Sequence, residues 1–285
     1  MAWAALCSPL VLQLQLGNFN CLLAALIGIG WVAERRGYTG LAGTILGIAA
    51  AVKLFPAFLG LYFLANRRWR GVVGMALGWL IVNAVALTLF GGEACRDYAF
   101  EILPTVEAEN LSSCLNASVA GFWMRLFAPT ASHGILPLVE APEVGRALTI
   151  LSQLTILAIS AFAASGSQTR EDRDRGFAIV CIAMLLIGPL TWSHAFLVLA
   201  VPIGLLLART PPGTWRKLLI ACLVILWIPA NYPAQIMLSR EQASLMLSDR
   251  HAPLSPAQNL RANSLATRAL LGLFILAVRI ARRAK

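Results

Sequence analysis

Long apolar runs recur along the whole chain, and this recurrence limits the possible fold more than any other feature. The runs are roughly 15 to 22 residues long and alternate with short polar stretches, which is the length at which a helix crosses a bilayer. With 59% hydrophobic and 13% charged residues, a soluble globule of 285 residues would lack polar surface. We therefore predict an all-α polytopic membrane protein with about eight or nine membrane-embedded segments, forming one integral membrane domain over residues 1–285.

The net charge of +10 is concentrated between the apolar runs. The basic clusters are Glu34-Arg35-Arg36, Arg67-Arg68-Trp69-Arg70, the mixed run 170–175, Arg209 with Arg216-Lys217, and the tail Arg279, Arg282, Arg283 and Lys285. If all of them are cytoplasmic, the predicted segments can be connected across the membrane without contradiction, and the chain obeys the positive-inside rule. We therefore expect membrane lipids and no nucleic acid as partners, a cytoplasmic C terminus, and two external loops at about 92–146 and 231–263.

Residues 39–65 do not fit a simple span. They are flanked by positive charge at both ends, too long for one comfortable helix and too short for two. Pro56 lacks a backbone donor and disfavours helix at the residue before it. The segment therefore predicts two short helices meeting at the outer face or a re-entrant hairpin, with Lys53 near the break.

Two ionisable side chains near the outer face have two interpretations each. Lys53 can bind the phosphate of a lipid carrier, or its ammonium can snorkel to the interface. His194, in Pro189-Leu-Thr-Trp-Ser-His194, can bind phosphate or move a proton, or can mark an interfacial turn beside Trp192. Four neutral polar residues near the same face can bind sugar hydroxyls or cap helices: Asn18, Asn20, Asn116 and Ser118.

Cysteine spacing gives no firm prediction. Cys95 and Cys114 share the acidic segment that follows residue 92, and they can pair in an oxidising compartment. The chain has no CxxC pair, HExxH helix, Walker loop or dinucleotide glycine pattern. We therefore expect neither a metal nor another cofactor.

The order of several short motifs resembles glycosyltransferase family 87, the polyprenol-phosphate-mannose-dependent proteins of the multi-span GT-C class. The matching elements, in chain order, are Gly17-Asn18-Phe19-Asn20, Arg35-Arg36, Ala42-Gly43 with Gly47 through Lys53 and Pro56, Arg67-Arg68-Trp69-Arg70, Asn116-Ala-Ser118-Val-Ala-Gly121 and Trp192-Ser193-His194. They extend over about residues 17–196.

The resemblance implies a GT-C-like fold and a membrane glycosyltransferase in the bacterial plasma membrane. Its donor would be a polyprenyl-phosphate hexose, with mannose as the sugar that the family implies, and its acceptor would be a lipid or glycan on the outer face. Lys53 and His194 would hold the donor phosphate. The sugar and acceptor would contact a polar group of side chains: Asn18, Asn20, Asn116, Ser118 and Trp192.

The chain departs from the family pattern at two places. Asn18 stands where the family usually has Gln, and the chain begins after the N-terminal span and external loop whose aspartate serves the family as catalytic base. We expect an N-terminally truncated product, with Asp97 and Glu101 as candidate replacement bases or solvated loop residues. One alternative is a transporter or flippase-like protein, since an intramembrane lysine and broken helices are also typical of transporters. The other alternative is an inactive remnant.

Overall fold

The computed structural model describes residues 8–128, 136–166, 169–228 and 264–282, together with 255, 257, 260 and 261. Regular structure within these residues is helical, as predicted. The α-helices are α1 (Ser8–Leu16), α2 (Asn20–Arg35), α3 (Thr39–Val52), α4 (Gly60–Ala65), α5 (Trp69–Asp97), α6 (Leu103–Asn110), α7 (Val119–Phe127), α8 (Pro142–Ala164), α9 (Arg170–Ile187), α10 (Ala200–Arg209), α11 (Thr214–Trp227) and α12 (Leu265–Arg282). Two 3₁₀ segments, Phe55–Leu59 and Ser193–Leu199, and a π turn, Tyr98–Ile102, connect some of them.

Helix α9 lies at the centre of the bundle. Every residue from 174 to 187 is buried, as expected for a helix that is apolar on all sides. Trp31 stacks on Phe177 with ring centroids 4.3 Å apart, and Tyr62 meets Phe177 edge-on at 5.6 Å. The helix begins at a capping box, in which the Thr169 hydroxyl accepts a hydrogen bond from the Asp172 amide at 3.0 Å.

Among the described residues, two helical stretches are long and apolar enough to cross a membrane. They are Trp69–Asn110, with 42 residues, and Pro142–Ala164, with 23 residues. The pair Ser8–Leu16 and Asn20–Arg35, bent by 120°, adds a third span if it is counted as one. The predicted eight or nine segments are therefore not confirmed within the described residues. The other apolar helices are short because prolines and 3₁₀ turns interrupt them, and a 14-residue helix such as α3 rises only about 21 Å.

The break predicted within residues 39–65 is confirmed. Helix α3 ends at Val52, and Lys53 has an extended backbone with φ −144° and ψ 143°. The 3₁₀ segment containing Pro56 and helix α4 then bring the chain back. Both ends of this stretch lie together, because the Arg68 guanidinium donates a hydrogen bond to the Thr39 hydroxyl at 3.2 Å. Residues 39–65 thus form a hairpin with Lys53 at its tip.

Helices α3 and α5 pack with their backbones in direct contact. Gly43 and Gly47 on α3 face α5, and Gly74 and Gly78 on α5 face α3. A Cβ added at Gly47 would lie 2.1 Å from the carbonyl oxygen of Met75. Glycines at four-residue spacing permit such close packing of membrane helices. The hairpin that carries Lys53 is therefore fixed against the long helix α5.

Ion pairs join several basic clusters at one end of the bundle. Arg68 pairs with the buried carboxylate of Glu34. Asp174, also buried, lies 3.4 Å from Arg35 and 3.0 Å from Arg209. The clusters of residues 34–36, 67–70, 170–175 and 209 therefore share one end, as the positive-inside interpretation requires.

The expected external loop 92–146 is helical over much of its described length. A bend at Gly91, with φ 82° and ψ 163°, is followed by continuous helix to Asn110. Pro104 lies directly after the π turn, at the start of α6, and the helix continues past it. The expected loop 231–263 lies outside the described residues except for 255, 257, 260 and 261.

Candidate functional site

A cavity of about 810 Å³ lies between the hairpin tip, helix α5 and the turn that follows α9. Its polar lining includes Asn18, Lys53, Trp192 and His194. It lies at the end of the bundle opposite the ion pairs. Helix α2 begins beside Lys53 and ends at the ion pairs, and its 16 residues rise about 24 Å. The cavity therefore brings together four of the polar residues that the sequence singled out.

Lys53 is held at the hairpin tip by a buried asparagine. Its Nζ donates to Oδ1 of Asn20 at 3.2 Å, and Asn20 is fully buried in the first turn of α2. An ammonium group has three donors, and this contact uses one of them. Asn20 Nδ2 has no hydrogen-bond partner among the described residues. Asn20 does not line the cavity, so the donors available to an anionic ligand there are the remaining ones of Lys53.

His194 contacts Asn18 across 176 positions of sequence. The Phe19 amide donates to Asn18 Oδ1 at 2.8 Å, which directs Asn18 Nδ2 to His194 Nε2 at 3.0 Å. Because an amide nitrogen only donates, Nε2 accepts in this arrangement and the ring proton is on Nδ1. Trp192 meets the imidazole edge-on at 5.7 Å, and its Nε1 is buried without a partner in the described part of the chain. His194 Nδ1 and Trp192 Nε1 are thus two candidate donors.

Asn116 and Ser118 are engaged within the protein and do not line the cavity. Asn116 Nδ2 donates to the carbonyls of Pro189, at 2.8 Å, and Leu111, at 2.9 Å. Its Oδ1 accepts from the amides of Thr191, at 3.0 Å, and Ser118, at 3.1 Å. All donors and acceptors of this amide are therefore used, and they fix the turn that precedes Trp192 and His194.

Ser118 caps helix α7, as one of its two interpretations predicted. Its hydroxyl accepts from the Gly121 amide at 3.0 Å and donates to the Pro189 carbonyl at 3.0 Å. About two turns after Ser118, Arg125 is buried and donates to the carbonyls of Ser113, at 2.7 Å, and Asn116, at 2.8 Å. Burial lowers the pKa of Arg125 to about 10, so the guanidinium stays charged near neutral pH. Sequence reasoning missed Arg125, because a single arginine in a helix carries no signal of its partners.

The carboxylates Asp97 and Glu101 lie on the outer surface of the helical stretch and do not line the cavity. Asp97 has Arg96 at 3.7 Å, in an exposed pair. Glu107, on α6, does line the cavity and is half-buried. Sequence reasoning passed over Glu107 because it looked like one of many acidic residues in a polar segment.

Cys95 also lines the cavity. Among the residues that the structure describes, Cys95 and Cys114 are not joined by a disulfide. The cavity wall therefore does not depend on a covalent link between them.

The remaining wall of the cavity is apolar and extends along α5. Trp79, Val82, Ala86 and Phe90 line it at spacings of three and four residues, so they share one helix face. Phe90 is 71% exposed in the isolated chain, which leaves this face open to lipid. An amphiphile with an anionic head at Lys53 and a long apolar tail along α5 matches this distribution of charge and apolar surface.

Comparison with known proteins gives a consistent result. The model of glycosyltransferase family 87 matches residues 1–189. A polyprenol-phosphate-mannose-dependent alpha-(1-2)-phosphatidylinositol pentamannoside mannosyltransferase of Mycolicibacterium smegmatis is 30% identical over 220 residues, covering 76% of this chain and 50% of that protein. The protein of the same description from Mycobacterium tuberculosis is 28% identical over 240 residues, covering 80% and 52%.

A third relative, a polyprenol-phosphate-mannose-dependent alpha-(1-2)-phosphatidylinositol mannoside mannosyltransferase of Mycolicibacterium smegmatis, is 26% identical over 209 residues, covering 68% of this chain and 44% of that protein. The chain spans about half the length of the curated relatives that it matches. No solved structure matches the chain.

Proposed function

Since the chain belongs to glycosyltransferase family 87, we propose that it transfers a hexose, mannose in the first instance, from a polyprenyl-phosphate sugar to a hydroxyl of a lipid or glycan acceptor. The relatives are described as mannosyltransferases that depend on polyprenol-phosphate-mannose and act on phosphatidylinositol mannosides. A phosphatidylinositol mannoside is therefore the first acceptor to test. The observation that carries the proposal is the cavity that joins Lys53 and His194 to an apolar wall.

The donor has two chemically different parts, and the cavity offers a surface for each. Its phosphate would lie against Lys53, whose ammonium already donates to Asn20. Its polyprenyl chain would lie along the apolar face of α5 that Trp79, Val82, Ala86 and Phe90 form. A polyprenyl chain bound there would exclude water and membrane lipid from the cavity except at its open side.

The reaction requires stabilisation of the leaving phosphate more than of the bound donor. As the bond between the anomeric carbon and the phosphate oxygen breaks, negative charge grows on that oxygen. Lys53 places a fixed positive charge beside the cavity, and the His194 Nδ1–H and Trp192 Nε1–H are donors for phosphate or sugar oxygens. Following family expectation, an acceptor hydroxyl attacks the anomeric carbon with inversion.

The cavity end is proposed to face outward from a bacterial plasma membrane, within a single integral membrane domain. The basic clusters at the opposite end support this orientation through the positive-inside rule. The external side would then include residues 92–146 and 231–263. Lateral access for a lipid donor is supported by the open apolar face of α5.

The test is transfer of radiolabelled mannose from polyprenyl-phosphate-mannose to phosphatidylinositol mannosides in membranes that contain the protein. We expect Lys53→Ala to lower the transfer rate by about 10²- to 10³-fold, because one preorganised charge on the leaving group is lost. Lys217→Ala is the matched control, since Lys217 is exposed on α11 and does not line the cavity. Equal loss in both variants would contradict the assignment of Lys53.

Equilibrium binding of the labelled donor in nanodiscs separates binding from transfer. We expect weaker donor binding for Lys53→Ala and unchanged binding for Lys217→Ala. If the wild-type protein binds the donor and moves it across a bilayer without transferring mannose, the transporter alternative replaces the proposed function. If it neither binds nor transfers the donor, the proposal for this cavity is wrong.

A further inference from the structure

Three arginines at the end of the bundle opposite the cavity are exposed and have no acidic partner among the described residues. Arg36 lies in the turn after α2, Arg67 in the turn between α4 and α5, and Arg70 in the first turn of α5. Their side chains make no ion pair or hydrogen bond within the described ranges. The carboxylates at this end are paired with other arginines: Glu34 with Arg68, Asp172 with Arg175, Glu171 with Arg175 and Arg209, and Asp174 with Arg35 and Arg209. The charge of the three exposed arginines is therefore not neutralised by the described part of the chain.

The two turns that carry these arginines lie side by side. Arg68, in the second turn, pairs with Glu34 beside the first turn and donates to the Thr39 hydroxyl at 3.2 Å. A Cβ added at Gly40 would lie 3.8 Å from the carbonyl oxygen of Arg70. The three exposed arginines therefore share one small area, the basic patch.

Arg67 has a backbone conformation that favours glycine. Helices α2 and α4 both end in a Schellman motif, in which two amides after the helix return to carbonyls of its last turn. The amide-to-carbonyl bonds are Gly37 to Glu34 at 3.0 Å and Tyr38 to Ala33 at 3.0 Å after α2, and Arg67 to Leu64 at 3.0 Å and Arg68 to Phe63 at 2.8 Å after α4. The left-handed position holds Gly37, with φ 88°, in the first motif and Arg67, with φ 53°, in the second. Since a Cβ is disfavoured in this conformation, the turn would be more stable with glycine at position 67, and the fold alone gives no reason for a guanidinium there.

The surface next to the basic patch is aromatic and apolar. Tyr38 and Trp69 are each 62% exposed, and such rings favour the membrane–water interface. On α5, Arg70 is followed at three and seven positions by Val73 and Leu77, so these residues share one helix face. Val73 and Leu77 are both more than half exposed. An anionic group with acyl chains attached therefore matches this surface, whereas a soluble anion would leave the apolar face uncovered.

We propose that the basic patch binds the phosphodiester headgroup of an anionic phospholipid, in the leaflet at the end of the bundle opposite the cavity. A guanidinium suits this group because it can donate two parallel hydrogen bonds to phosphate oxygens. The acyl chains lie along Val73 and Leu77 of α5. Because the patch joins the turn before α3 to the turn after α4, the bound lipid braces the base of the hairpin that carries Lys53. This site is separate from the cavity and does not depend on the transfer reaction.

The binding experiment titrates the full chain in a zwitterionic detergent with phosphatidylglycerol and counts the bound lipid by native mass spectrometry. We expect phosphatidylglycerol to bind more tightly than phosphatidylcholine. Arg67→Gly combined with Arg70→Gln should weaken its binding by about 25-fold, roughly 5-fold for each charge. The matched control is Arg216→Gln combined with Lys217→Gln, which removes two charges from the start of α11 at the same end of the bundle. This control should bind phosphatidylglycerol like the wild type.

Three results of this titration would overturn the site. Equal weakening in the two double variants would show a general attraction of anionic lipid to the basic end. Equal binding of phosphatidylcholine and phosphatidylglycerol would show that the headgroup charge is not recognised. Displacement of the lipid by glycerol phosphate at the same concentration would show that the arginines take an anion without acyl chains.

Arg67→Gly alone separates a lipid-binding residue from a structural one. Without added lipid, this variant should unfold about 2–4 °C above the wild type, because glycine relieves the left-handed strain. Phosphatidylglycerol should then raise the Tm of the variant less than it raises the wild-type Tm. A lower Tm without lipid would assign the Arg67 side chain to the fold, and an equal rise with lipid would remove Arg67 from the site; either result contradicts the proposal.

Discussion

Replacing Gly47 by alanine tests the close packing that fixes the Lys53 hairpin. The added Cβ would lie 2.1 Å from the Met75 carbonyl oxygen, whereas an ordinary contact needs 3.4 Å or more. The obstructing atom is backbone and cannot rotate away. Helices α3 and α5 must therefore separate locally by roughly 1.3 Å, which loses about a quarter to half of the dispersion attraction across the gap.

We expect this separation to destabilise the protein by about 1–3 kcal/mol, the usual range for overpacking. The intrinsic helix propensity acts in the opposite direction, since alanine is favoured over glycine by about 1 kcal/mol. The matched control is Gly204→Ala on α10, where an added Cβ meets nothing within 4 Å. This control should therefore be neutral or slightly stabilising.

The assay is thermal unfolding in detergent at one fixed scan rate, followed by the helical circular dichroism signal. A change of 1 kcal/mol shifts the Tm of a chain of this size by about 2–4 °C, so Gly47→Ala should unfold about 2–12 °C below the wild type. Donor binding should weaken as well, because the displaced helix carries Lys53. A Gly47→Ala protein as stable as Gly204→Ala would refute the direct backbone contact between α3 and α5.

Three further substitutions have expected outcomes. Asn116→Ala removes one hydrogen bond from each of four backbone groups and should lower mannose transfer by about 10²-fold through displacement of the His194 turn, whereas Asn110→Ala, outside the cavity lining, should not change the rate. Asp174→Asn removes a buried carboxylate that faces two arginines and should lower the free energy of unfolding by about 3 kcal/mol, measured in detergent. Glu143→Gln, in an exposed pair, is its control and should unfold like the wild type. Thr169→Ala removes the cap of α9 and should cost about 1 kcal/mol, visible as a lower Tm.

The sequence by itself determined the class of the protein and the position of its main break. Long apolar runs imply membrane helices because only helices satisfy backbone hydrogen bonds locally in lipid. Pro56 lacks an amide donor and its ring clashes with the carbonyl four residues earlier, at Val52. The break of the helix at Lys53 follows from this local effect. The shared end of the basic clusters was likewise predictable, since the distribution of charge along the chain sets helix orientation.

The tertiary structure alone decided which polar residues meet. The contact of Asn18 with His194 joins residues 176 positions apart, and no local pattern encodes such a pairing. From the sequence, Asn116 could equally have contacted a sugar or the protein. Only the position of the turn after α9 shows that every donor and acceptor of its side-chain amide is hydrogen-bonded within the protein. The place of Glu107 in the cavity lining likewise depends on where α6 lies relative to the hairpin tip, which the local sequence does not encode.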